Sequence, residues 1–375
     1  MPAPFMIVIS IVIALVSLSR FSGAQTQTKI VLRNLTILED VDVIEFDESN
    51  VQLSNGKKLE WDQVLDAKID SDRQQQFDNY VQKIGRTLFR IELRLSRQDW
   101  VGAAELCDVL SQTPNEFGKI PQRWKYLTAL SKYRNHLEKG NRPAALLEFL
   151  SAAKLQPVDL DLKHPMLSEV RLTDSEIKFQ ISDQILPIWF DLSAAEKIEK
   201  EMNPMIDDRP GGLIYLASLR LSGSEFESAV PVLERLAEFR DGPISRWTKL
   251  LAIQLELRRG KKMESQSELQ TVDLFQMPTK PLAMYLAASA VEPSQNTSND
   301  FTTEIDRKKA SVAFLKIPAI FEESYPTLSA AACHRCACLL RSRGLKQESQ
   351  ILLQELFRRY PQTYHSKLVL ETKQP

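Results

Sequence analysis

The chain has 375 residues, 43% apolar and 26% charged, which excludes a disordered polymer and allows two or three packed domains. Its formal net charge of -1 excludes a nucleic-acid binder held by bulk electrostatics. The charge is uneven: Lys29–Asp72 holds 5 basic and 11 acidic residues and Cys333–Pro375 holds 8 basic and 3 acidic, as solvated faces or as surfaces for different partners.

In chain order, Phe5–Leu18 comes first. It reads FMIVISIVIALVSL, fourteen residues broken only by Ser10 and Ser17. That length is short for a bilayer span and fits the core of an export signal. Ser22 and Ala24 stand where a signal peptidase reads small residues, so cleavage is expected between Ala24 and Gln25. Residues 1–24 are then a signal peptide and the mature protein is periplasmic or extracellular. No Lys or Arg precedes the apolar run, which leaves an uncleaved membrane anchor as the alternative.

Residues 28–70 carry strand signals. Ile30-Val31-Leu32, Val41–Phe46, Val51-Gln52-Leu53 and Lys58–Trp61 are short and rich in β-branched or aromatic residues, with turn formers between them. Asn55-Gly56 between VQL and KLEW is the strongest hairpin signal. A small antiparallel β module of four or five strands is expected. Its pattern resembles small SH3-like or Sm-like barrels.

From Gln74 the pattern is helical and repeats itself. LRLSRQDW from Leu93 aligns with LRLSGSEF from Leu219, and three later segments share the layout. The segments align on a turn residue: Gln98, Gly140, Ser224, Gly260 and Gly344. Five positions on, each has a small residue: Ala103, Ala145, Ala229, Ser265 and Ser349. Nine on come Cys107, Phe149, Leu233, Leu269 and Leu353. The anchors step by 42, 84, 36 and 84 residues, so two degenerate units are expected near Ile177–Ile206 and Leu282–Phe321. This is the pattern of helical hairpins that cross closely at a small residue and turn at a left-handed one.

The layout resembles the tetratricopeptide repeat family over about residues 78–371. The resemblance implies a mainly α chain: an α-solenoid of antiparallel helical hairpins, in blocks 74–206 and 210–371 joined at PMIDDRPGG, after the β module. It also implies a concave surface for a protein or peptide partner.

CHRCAC, Cys333–Cys338, holds three of the four cysteines. The order Cys-His-x-Cys is wrong for covalent haem attachment, and no second Cys/His group lies nearby for zinc. On a helix, Cys333 and Cys336 share the inward face, while His334, Cys338 and Arg341 share the face that in such families lines the groove. These three residues are therefore the candidate partner site. Asp159 and Asp161 alternate in VDLDLKH, which is weak evidence for a cation. Asn34-Leu35-Thr36 and Asn296-Thr297-Ser298 fit the glycosylation sequon. There is no nucleophile elbow, phosphate-binding glycine loop or His-Glu-x-x-His, so no enzyme, cofactor or metal is expected.

The expected function is thus a non-catalytic exported scaffold or adaptor binding a protein or peptide partner, with no nucleic acid. A membrane is involved only if the first segment stays uncleaved. The alternatives are a membrane-anchored envelope-assembly factor and an enzyme with an unrecognised active site.

Overall fold

The computed structural model describes residues 29–69, 72–112, 122–155, 171–206, 209–240, 242–262, 269, 276–293 and 301–371. The expected cleavage point at Ala24–Gln25, the Asp159/Asp161 pair and the Asn296 sequon lie outside them. The chain is mainly helical, with a small antiparallel β module at its N-terminal end, and it divides into two compact units, 1–124 and 125–375. No described helix is long and apolar enough to cross a membrane.

The β module has six strands: β1 (Lys29–Leu32), β2 (Ile37–Glu39), β3 (Val43–Phe46), β4 (Asn50–Leu53), β5 (Lys58–Glu60) and β6 (Val64–Ala67). They form two antiparallel sheets, β2-β1-β6 and β3-β4-β5. The Asn55-Gly56 turn joins β4 to β5, with Gly56 at φ 79°. Alternation buries Val51 and Leu53 on one face of β4. β2 and β6 escaped sequence reading because each is short and lacks a clear alternation.

The first unit closes around Trp61. Its ring stacks on Tyr80 at 4.8 Å and meets Phe46 edge-on at 6.0 Å. Tyr80 begins a π-helical turn, Tyr80–Gly85, between helices α1 (Gln74–Asn79) and α2 (Arg86–Ser96). A methyl at Gly85 would run into the Trp61 carbonyl, so only glycine lets the helix approach this closely. Beside it, Arg123 faces three carboxylates, Glu60, Asp62 and Glu92. Asp62 and Glu92 are buried. Burial, reinforced by the Asp62 charge, pushes Glu92 well above the usual carboxylate range. Asp62 shares the guanidinium with it, 3.0 Å from the same nitrogen.

Four helix ends share one backbone turn. Helix α2 and α3 (Trp100–Gln112), α4 (Gln122–Glu138) and α5 (Arg142–Leu155), and α13 (Pro326–Ser342) and α14 (Lys346–Arg359) are joined by turns of one geometry. α10 (Gly242–Arg258) ends the same way. Gln98, Gly140, Gly260 and Gly344 take φ of 58°, 67°, 84° and 79°. In each, the next amide reaches back five residues: Asp99 to Arg94, Asn141 to His136, Lys261 to Glu256 and Leu345 to Leu340, at 2.8–3.0 Å. This is a Schellman closure, which satisfies carbonyls at the helix end. Five residues on, Ala103, Ala145 and Ser349 are buried. Ser224 departs from the pattern: Gly223 before it has φ −69°, and a 3-10 turn, Phe226–Ala229, leads into α9 (Val230–Ala237).

In the second unit, α8 (Pro210–Ser222) packs on α7 (Leu192–Met202), α9 and α10, and α11 (Lys280–Val291) packs on α10 and α12 (Phe301–Phe321). α13 lies between α12 and α14, and α15 (Tyr364–Glu371) covers α13 and α14. The expected degenerate unit at 282–321 is thus a packed helix pair, α11 and α12. The one at 177–206 is not. A short helix, α6 (Asp174–Phe179), gives way at Gln180 (φ 55°) to a non-helical stretch, Gln180–Asp191, before α7.

This inner segment is largely buried, including Ile181, Ile185, Leu186, Ile188 and Trp189. A non-helical buried backbone must find its hydrogen bonds elsewhere. The Ser182 amide donates to the Tyr215 hydroxyl at 3.0 Å, and that hydroxyl donates to the Ile185 carbonyl at 2.9 Å. Tyr133 Oη and Ser182 Oγ lie 2.7 Å apart. Trp189 Nε1 donates to Ser218 Oγ at 2.9 Å, and Arg142 donates to the Leu186 carbonyl at 2.6 Å. The turns of the first and last hairpins of the unit also meet: a methyl at Gly140 would sit 3.1 Å from Gln362 Cβ.

Two substitutions test this packing. A methyl at Gly211 collides with the carbonyl oxygens of Phe179 and Gln180, so Gly211→Ala is expected to lower stability by about 1–3 kcal/mol in urea unfolding. Arg123→Met leaves the Asp62–Glu92 pair buried without its cation and is expected to cost about 3–5 kcal/mol. An unfolding midpoint unchanged by either would show that the contact contributes nothing.

Candidate functional site

Pro326 sits at the first turn of α13, where a missing amide costs nothing, and Gly344 ends the hairpin turn. Helical period then divides CHRCAC. Cys333 and Cys336 are buried; Cys333 packs with Ala330, Leu356 and Tyr360, and the Cys336 thiol donates to the Ser311 carbonyl at 3.5 Å. His334 is half-buried, and Cys338 and Arg341 are exposed. Ala331, one turn before His334 on α13, is fully buried.

His334, Cys338 and Arg341 line one cavity of about 420 Å³. The rest of its wall comes from Ala337, from Lys346, Ser349, Gln350 and Leu353 of α14, and from Val369 of α15. Ser349 is the small residue of this repeat, and its hydroxyl donates to the Ala337 carbonyl at 2.8 Å, which ties the two helices together beneath the cavity. No acidic residue lines it. The neighbouring arginines are already paired, Arg335 with Glu292 at 3.0 Å and Arg343 with Glu304 at 2.6 Å. Arg341 and Lys346 form no ion pair among the described residues. The cavity therefore carries two uncompensated cations above a partly apolar floor, and it suits a group with a carboxylate.

Beneath His334 lies a second imidazole. The His334 and His365 rings are 5.2 Å apart, and Phe190 of the inner segment meets His365 edge-on at 4.9 Å. Burial, then the His334 and Arg335 charges, pushes His365 down to about 3. Burial also lowers His334, with Arg335 adding to it. Both imidazoles are neutral at pH 7. The thiols are protonated as well: burial pushes Cys333 up to about 12, Cys336 to about 11 and Cys338 above its ordinary value. A thiolate nucleophile is thus not poised here. No group of three His, Cys, Asp or Glu side chains converges on a metal-sized point among the described residues.

A larger cavity, about 600 Å³, lies at the hairpin turns, where Glu138, Arg142, Asp183, Tyr325 and Arg359 meet. Its cations are committed. Arg142 donates to the Leu186 carbonyl and lies over the Trp189 ring at 4.9 Å, and Arg359 bridges Glu322 and Glu355. Burial holds Arg142 down at about 10. Sequence reading missed Lys346, which opens α14 and reaches the cavity only through closure of the hairpin.

No family model matches this chain, and no curated protein or solved structure matches it.

His365 gives the region a pH signature. Folded, it stays neutral down to about 3; unfolded, it binds a proton near its ordinary 6.5. The unfolded state therefore takes the proton first, and stability falls as pH drops from 6.5 toward 3, by ~1.4 kcal/mol per pH unit from this site. In urea unfolding across that range, His365→Phe is expected to flatten the slope, and an equal slope in both proteins would refute the assignment.

Proposed function

We propose that this chain is a non-catalytic scaffold that binds a protein or peptide partner through helical hairpins like those of tetratricopeptide repeats, and that it acts outside the cytoplasm after export. The export part rests on the apolar run Phe5–Leu18 and the small residues before Gln25. The repeat part draws support from the four left-handed hairpin turns and the buried small residues five positions beyond them. The inner segment Gln180–Asp191 occupies the interior of the second unit, which favours the outer face of the last hairpin as the partner's seat.

The observation that carries the reading is the cavity beside α13. Three residues selected by helical period come together there with Lys346, and two cations stand without counter-charge. Exposed Arg341 and Lys346, without an acidic neighbour in the cavity wall, attract a complementary anionic partner. The protein attached to a resin, with cell-envelope extract of its source passed over it, is expected to retain a defined partner. The triple variant His334→Ala, Cys338→Ala, Arg341→Ala is expected to lose that partner while keeping its helical circular dichroism. Equal retention by both proteins would move the site elsewhere, and no retained protein in either arm would refute the scaffold reading.

A further inference from the structure

Helix α12 has two unlike faces. Ala310, Phe314, Ile317 and Phe321 are buried on the face that packs on α11 and α13. On the other face Ile305, Val312, Leu315 and Ile320 are exposed by 37, 53, 39 and 59%. Lys308, Lys309 and Lys316 are exposed as well. At the helical period these seven side chains fall on one continuous arc, about 140° wide, with the lysines set between the aliphatic groups.

The arc is positively charged. Its only acidic neighbours within the helix lie off it: Asp306 stands at the edge, 3.9 Å from Lys309, and Glu304 is taken by Arg343. Just past the helix, Glu322 is taken by Arg359, and Glu323 lines the cavity at the hairpin turns. Lys308 and Lys316 form no ion pair among the described residues.

Four large aliphatic side chains left in water on one arc mark a surface that another body covers. The composition of the arc says which kind. Protein interfaces are poor in Lys and rich in aromatic side chains, Met and Arg. The described side chains of this arc are the reverse, with three Lys and no aromatic, Met or Arg. A lipid surface takes that mixture. Aliphatic groups enter the boundary between headgroups and acyl chains, while the long lysine stems keep their ammonium groups among the headgroups. Ammonium groups without carboxylate partners match anionic phospholipid. We propose that the outer face of α12 rests on a membrane surface that carries anionic phospholipid. The helix lies along that surface and does not cross it, because its other face is already packed on α11 and α13. The contact uses no residue of the His334 cavity, so it stands or falls independently of the scaffold reading.

The test uses protein expressed from the complete reading frame and purified without detergent. It is floated with phosphatidylcholine vesicles, with and without phosphatidylserine, and its lysines are acetylated by an amine-reactive ester and mapped by mass spectrometry. The wild type is expected to bind the phosphatidylserine vesicles about tenfold or more tightly than the neutral ones. Those vesicles are expected to shield Lys308, Lys309 and Lys316 from acetylation. The reversal Lys308→Glu, Lys309→Glu, Lys316→Glu is expected to weaken binding by about tenfold or more. The pair Val312→Gln, Ile320→Gln keeps every charge and is expected to weaken it by about fivefold or more, which separates insertion from charge attraction alone. Both variants are expected to keep the circular dichroism of the wild type. A wild type that floats with neither vesicle overturns the proposal, as does equal acetylation of the three lysines with and without phosphatidylserine. Binding unchanged in either variant overturns it too.

Discussion

The second unit depends on how a stretch of non-helical backbone is kept in its interior. Gln180–Asp191 places amides and carbonyls among apolar side chains, where an unmade hydrogen bond costs about 1–3 kcal/mol. Two tyrosines carry much of the solution. Tyr215 Oη accepts from Ser182 and donates to Ile185, and Tyr133 Oη meets the Ser182 hydroxyl. Burial pushes both phenols well above their ordinary range, so they stay protonated and keep their donor hydrogens. The helices before the segment and those after it therefore share one polar network rather than packing only on their sequence neighbours.

That network also reaches the cavity beside α13. The Phe190 ring, carried by the segment, lies against Tyr285 of α11 and His365 of α15, and His365 supports His334 in the cavity wall. The cavity is thus set from below by the interior and by the Ser349–Ala337 bond. Its cations are left over because Glu292 and Glu304 are already taken by Arg335 and Arg343.

Local features of the sequence were legible. Asn55-Gly56 marked its hairpin, the glycines at 140, 260 and 344 marked left-handed turns, and helical period separated Cys333 and Cys336 from His334, Cys338 and Arg341. Each of these depends on residues within one or two turns. The inner segment was not legible, because an apolar run such as ILPIWF reads equally as buried helix or buried extended chain. The Arg123 cluster joins positions 31 and 61 residues apart, and no local pattern announces such a pairing. Lys346 belongs to the same class: its place in the cavity follows from hairpin closure and not from the period of α13.

The contact between Gly140 and Gln362 has a bearing on how this unit can evolve. An open stack of repeats gains or loses members at its ends at little cost, since each touches only its neighbours. Here the turn at one end of the unit already abuts the turn at the other. A duplicated or deleted hairpin would pull Gln362 away from Gly140 and strip the cover from Phe190. The number of hairpins is accordingly set by closure, and change in this family of shapes should run through surface residues rather than through copy number.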